Sequence, residues 1–468
     1  MMQTVPINVA GPSDLSRARQ YTRQTCINLY PSVDPIARTP VAMMCWPGLK
    51  TFSTTGNGDT DRGVYVFQNE LYKIHGTTLY KVSSAGVYTT IGTVAGTGYT
   101  TFVDDGFQMT FVTGGLVYNY DGTTLTQLTD PDLETPNAVA FLNNQWIYDG
   151  DGGTFVVSNV GTPGTIDGLN YASAEALGDD IIRPYAFNQV LYLMGEKSIE
   201  SWYNSGVGSP PFDRIEGGLI QKGIAGVHCV CNTDQFVYFL GDDRSVYQLA
   251  NYSVRPVTTE AMAREFEGYT TVSDCVFYSL KLEGQDFIVM DFPTESKTWC
   301  YSETANFWFQ LSSGVDGGHH LASSYAYCYG KHLVGSTGYV YQWDLNTFDD
   351  LGNPQVKERI MAPIHGGMMN APGKRLMMNR FELIMQTGVG TATGQGSNPV
   401  VMFSLSPDGG ETFGAEYQVS VGQGGRYQTR VEWYHIESFY AGVIRIRFTD
   451  PVFVGMFAGA IDIDLSGY

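Results

Sequence analysis

One pattern recurs down most of this chain: a short apolar strand, a tight turn of polar residues or glycine, and a second apolar strand. It appears at Asn69 (NELYKI, HGTT, LYKV), near Phe107 (FQMTFV, TGG, LVYNY) and at Asn144 (NQWIY, DGDGG, TFVVS). It returns at Asn188 and Asp234, with weaker copies at Gln285 and Lys331. The seven starts lie 38, 37, 44, 46, 51 and 46 residues apart, close to the ~40–50-residue period of propeller blades. A single hairpin cannot bury its faces in water. Hairpins packed side by side in a ring can, and closure leaves only short edges exposed. The spacing predicts an all-β chain with a β-propeller over residues 51–356. About seven blades fit; six or eight remain open, because the pattern does not resolve the outer strands.

The flanks read differently. Residues 357–468 open on a Met-rich stretch and continue as alternating segments, among them VVMFSLS from Val400 and GVIRIRFTD from Gly442. Val443 to Phe448 alternates apolar with basic, as a half-buried strand does. A small C-terminal β-sandwich is expected there. Met361, Met368, Met369, Met377 and Met378 are either core filler, the preferred reading, or an adaptable contact surface. Residues 1–50 have no clear period and carry Arg17, Arg19 and Arg23 close together. They suggest an extended N-terminal arm that leans on something else and joins the propeller near Asn28-Leu29-Tyr30 and Pro47-Gly48-Leu49. One helix is expected, Thr259 to Glu267, capped by Thr259.

Charge narrows the function classes. The net charge is −20, and it is uneven: +3 over residues 1–50 (five basic, two acidic), −22 over 51–356 (13 against 35) and −1 over 357–468 (nine against ten). Binding to nucleic acid ordinarily rests on basic stripes that neutralise phosphate, so that class is disfavoured. No apolar run reaches the ~20 residues of a membrane-spanning helix. Met1 to Asp14 lacks the pattern of a secretory leader. Seven cysteines without such a leader read as free, structural thiols.

The motifs for chemistry are sparse. Ser406-Pro407-Asp408-Gly409-Gly410-Glu411-Thr412-Phe413 matches the Asp-box hairpin, a structural staple in which the Asp and Thr bond the turn backbone. The pairs Asp104-Asp105, Asp179-Asp180, Asp242-Asp243 and Asp349-Asp350 are adjacent in sequence, which points them to opposite faces in a strand. His319-His320 has no metal-ligand spacing around it. No catalytic, cofactor or metal residues are expected, and no cofactor.

An ordered set of short motifs resembles a known family. Its N-terminal part is Cys26-Ile27-Asn28-Leu29-Tyr30-Pro31, Thr39-Pro40-Val41-Ala42 and Pro47-Gly48-Leu49-Lys50. Its central part runs from Glu196 to Gly206, with Glu200 and Trp202, and from Ile220 to Gly226, with Gln221, Lys222 and Gly223. Gly241-Asp242-Asp243, Arg255 to Thr259, Phe292-Pro293 and the late Asp408-Gly409-Gly410 follow in order. The set is similar to the packaged-DNA stabilisation, or tail hub, proteins of short-tailed bacteriophages. That resemblance implies a non-enzymatic virion protein, assembled in the host cytoplasm. Six copies would form a ring below the portal and its adaptor, retain packaged DNA, continue the ejection channel without binding DNA specifically, and meet the tail needle and tailspikes. No membrane is involved. Arg17, Arg19 and Arg23 would dock onto an acidic neighbour. Two rival readings are a receptor- or glycan-binding tail-tip propeller, which predicts aromatic platforms on one propeller face, and a polysaccharide hydrolase.

Overall fold

A computed structural model describes residues 3–18, 22–34, 36, 41–53, 58–174, 176–315 and 317–465. Six antiparallel sets of four consecutive strands occupy residues 61–93, 101–128, 139–173, 181–220, 230–256 and 276–311, here blades 1 to 6; the first five are separate sheets and the sixth is part of a larger one. A further sheet closes the ring. Ser324–Cys328, Lys331–Gly335 and Val340–Asp344 supply three of its strands, and Gly48–Thr51 from the N-terminal segment pairs along the third as its fourth strand. We call it blade 7. Every repeat visible in the sequence is the second and third strand of one of these sheets. In most blades those two strands are largely buried, so their apolar runs are nearly continuous. The fourth strands of blades 1, 2 and 5 are half-exposed and leave a weaker pattern.

The turns explain why several repeats begin at asparagine. Gln68-Asn69, Asn143-Asn144 and Asn188-Gln189 all have positive φ at both positions. That is the two-residue hairpin geometry in which Asn is among the few tolerated residues other than Gly. Glu260–Glu267 is the expected helix, with the Thr259 hydroxyl accepting from the Met262 amide at 3.3 Å.

The C-terminal residues form a sandwich. One sheet holds Leu376–Met385, Gly455–Leu465 and Val431–Tyr434, and the other Val400–Ser406, Ala441–Phe448 and Lys357–Ile360. The methionines divide: Met361 and Met378 are buried, whereas Met368 and Met377 are exposed.

The N-terminal segment leans on this same chain. Gln3–Ile7 pairs with Gly455–Leu465, and Val41–Cys45 joins Leu29–Val33 to that sheet. Thr25–Ile27 lies between Phe307–Leu311 of blade 6 and Lys357–Ile360 of the sandwich, so one sheet runs from the propeller into the second domain. The segment lacks a sequence period because each strand is three to five residues long and its partner is far away in the chain. One core that spans both domains follows from this threading. It combines Leu29, Trp46 and Leu49 with Phe287 and Phe309 of blade 6, Trp343 of blade 7, and Phe381 and Ile461 of the sandwich.

Candidate interaction surfaces

The N-terminal motif residues hold that junction together. Asn28 is fully buried with φ of 52°. Its side-chain amide donates to the carbonyls of Ser312 and Val356 at 2.7 and 2.8 Å, and its Oδ1 accepts from the Ser312 amide at 2.9 Å. Three chain segments, at the ends of strands from three regions, are thus tied by one side chain. Tyr30 donates its hydroxyl to Glu283 and packs edge-on to Trp46 and Phe287. Pro31 pairs opposite Met43. The Pro47 carbonyl accepts from Gln355 at 3.4 Å. Gly48 admits no side chain, since a Cβ there would sit 2.2 Å from the Asp349 carbonyl oxygen. Trp46, which the motif reading passed over, is the centre: its ring meets Tyr30, Phe287, Phe309 and Trp343. Its place beside Pro47-Gly48 was the only hint. Thr39 and Pro40 lie outside the described residues.

The central motif binds blade 4 to blade 5. Glu200 is buried and accepts from Trp202 Nε1 at 3.0 Å and from the Ala176 amide at 2.7 Å. Gln221 is exposed. Lys222 Nζ donates to Asp243 at 2.6 Å and lies over the Tyr247 ring. A Cβ on Gly223 would meet the Glu196 carbonyl oxygen at 2.0 Å. In the sandwich, Asp408 accepts from the hydroxyls of Ser406 and Thr412 and from the amides of Glu411 and Thr412. These bonds, the Ser406 hydroxyl foremost, hold its carboxyl well below the usual carboxylate range. Gly410, φ 96°, turns its amide onto the Ser406 hydroxyl at 2.8 Å. The Asp-box reading therefore describes this turn.

Arg17 is exposed, and Arg23 is half-buried in a small crevice beside Thr25, Ile360 and Gly410. Arg19 lies outside the described residues. All seven cysteines are free and buried. The acidic pairs serve turns and ion pairs: Asp105 caps its own turn, Asp179 accepts from Lys197 and Ser198 amides, and Asp242 meets Lys197 at 3.2 Å. His319 Nε2 lies 2.6 Å from Asp291, and His320 accepts from the Ala322 amide. Among the described residues no three His, Cys, Asp or Glu are grouped to hold a metal.

The propeller axis has two unlike ends. At one, Tyr99 lies across the central opening. It reaches toward Gly63 of blade 1, packs 5.0 Å from the His228 ring at the start of blade 5, and lies beside Ser324 of blade 7. A ring touching three blades around a circle must sit near its centre. Arg183 of blade 4 donates to the Val227 carbonyl at 2.8 Å beside it. Burial, helped by the Arg183 charge, pushes the His228 imidazole down to about 3, so it is neutral at pH 7. The other end opens into a cavity of about 590 Å³ between blades 5, 6 and 7.

Both parts of the chain have known counterparts. Residues 3–347 match the family model of the bacteriophage P22 Gp10 β-propeller, and residues 363–464 that of the P22 Gp10 β-sandwich. No curated protein matches. Among solved structures, BamB from Moraxella catarrhalis is 12% identical over 69% of this chain and 98% of its own, with a TM-score of 0.39. The Pan2 WD40 domain of Neurospora crassa is 10% identical over 64% of this chain and 95% of its own, with a TM-score of 0.41. With the two family matches covering the propeller and the sandwich in order, the chain belongs to the P22 Gp10 family, the packaged-DNA stabilisation proteins of short-tailed phages.

Proposed function

We propose that this phage tail protein acts as a hub: several copies, six by the resemblance, form a closed ring below the portal and its adaptor. The ring retains packaged DNA, continues the ejection channel, and meets the tail needle and tailspikes. It is put together in the host cytoplasm and stays in the virion tail. The observation that carries this reading is the match of both domains, in order, to one tail-protein family. The blocked axis adds a constraint. With Tyr99 across the opening, a duplex has no path through a single propeller. Its path would run between subunits, along the axis of the ring. The −22 carried by residues 51–356 suits such a wall, since like charge repels phosphate and lets the duplex slide. A cyclic ring needs heterologous contacts that close. In this proposal Arg17, Arg19 and Arg23 dock on an acidic neighbour.

Deleting the gene from its phage tests the reading. Heads should package DNA and then lose it, with tails ending below the adaptor in electron micrographs. Complementation with Arg17, Arg19 and Arg23 all changed to Glu should leave assembly defective. DNA-filled particles with complete channels that fail only to adsorb would refute the hub.

A further inference from the structure

The open end of the axis carries an unassigned site, and its chemistry differs from that of the acidic surface around it. The cavity of about 590 Å³ lies where the innermost strands of blades 5, 6 and 7 end. Its size falls within the range of small-ligand sites. One wall is aromatic. Tyr325 and Tyr327 lie two apart on Ser324–Cys328 and so share a face. Tyr325 is fixed from both sides, stacked on Tyr278 of blade 6 and bonded through its hydroxyl to His332 Nδ1 at 2.9 Å. Tyr327 is 58% exposed and packs against the His332 ring. A tyrosine standing in solvent beside a rigid aromatic pair is an aromatic platform.

The opposite rim is polar and mixed. Lys281 Nζ donates to Asp234 at 2.9 Å and lies 3.7 Å from Asp286. The floor is fixed by Ser279, whose hydroxyl donates to the Asn232 carbonyl at 2.6 Å. Burial holds the His332 imidazole below its ordinary value, so it is neutral at pH 7. The rim therefore presents two carboxylates and one ammonium, with unused acceptor and donor capacity on each.

We infer that this axial mouth binds a neutral saccharide of one or two rings. A sugar ring has a C–H face, slightly positive, that lies on the negative face of an aromatic ring. Its hydroxyls both donate and accept, and adjacent hydroxyls match a carboxylate next to an ammonium. A bare cation would use the rings and carboxylates but would meet Lys281. An anionic sugar would meet Asp234 and Asp286. The site would give the tail a contact with host-surface polysaccharide, separate from its assembly role.

Saturation-transfer NMR on the full chain tests this, with glucose, galactose, mannose, rhamnose, N-acetylglucosamine, lactose and maltose, each at ~10 mM, a level that detects millimolar affinity. At least one sugar should receive saturation. Tyr327→Ala should weaken its binding about tenfold or more, and Tyr327→Phe should retain it. Because Tyr327 is exposed, both variants should melt as the parent does. No transfer to any sugar, or transfer unchanged in Tyr327→Ala, would overturn the proposal. So would Tyr327-dependent binding of methylguanidinium in place of sugar, which would mark a cation site.

Discussion

At the scale of single residues, two kinds of buried polar group set the chain's behaviour. The first makes connections. Asn28 combines a left-handed backbone with three side-chain hydrogen bonds to segments almost 300 residues or more away. Asn28→Ala should lose roughly 3 kcal/mol, from unsatisfied buried carbonyls and a strained φ. Asn28→Gly, which keeps the conformation, should lose about 1 kcal/mol less. Urea melts of the two variants separate the terms. The second kind carries strain in the form of charge. Burial pushes the carboxyls of Asp149 and Asp350 up to about 6, against an ordinary 3.8. Protons are then held by the folded chain and not by the unfolded one between about pH 4 and 6. The stability these groups contribute is complete below pH 4 and lost as pH rises through about 6. A rise of that size is worth up to about 3 kcal/mol per group. Asp350→Asn stays neutral throughout. Its melting temperature relative to the parent should therefore be higher at pH 8 than at pH 5. A difference independent of pH would contradict the assignment.

At the scale of elements, the strand Gly48–Thr51 has the largest consequence for its length. Four residues complete blade 7 and so close the ring. The strand is admitted only because Gly48 can approach the Asp349 carbonyl. That obstacle is backbone and cannot swing aside. Gly48→Val should detach the strand, lower the melting temperature and free the paired backbone at Lys50 for cleavage by trypsin. Limited proteolysis followed by N-terminal sequencing reads this directly, and a variant as resistant as the parent would show that the blade tolerates the shift. The seam between the first and last blades has a second fastening. Lys73 and Asp61 form a buried ion pair, and Ser323 and Ser324 of blade 7 donate to the same carboxylate at 2.7 Å. Removing either ion would strand the other in a buried site, which costs more than the pair contributes.

At the scale of the molecule, propeller and sandwich share one packed cluster, which should make them melt as one body. Their shared core takes residues from the N-terminal segment, blades 6 and 7 and both sandwich sheets. A fragment of residues 51–356, cut where the acidic region begins, would lack Trp46 and three of the four residues that close blade 7. It should be insoluble, or should melt without a cooperative transition, where the full chain melts cooperatively. A soluble fragment with a sharp calorimetric transition would show that the domains are independent.

The sequence by itself carried the propeller, the sandwich, the helix Glu260–Glu267, the Asp-box turn and the family. These rest on local signals: paired, largely buried apolar strands, asparagine at hairpin turns, and motifs whose glycines have no room for a side chain. Tertiary structure alone decided how the ring closes, what Trp46 does, and that Thr25–Ile27 is threaded between two domains. Each of those depends on pairing between segments hundreds of residues apart, and strands of three to five residues leave no period to read. The blocked axis and the aromatic mouth were likewise invisible. Tyr99, His228, Tyr327 and Lys281 stand in four separate stretches of sequence, and only the ring brings them to its two ends.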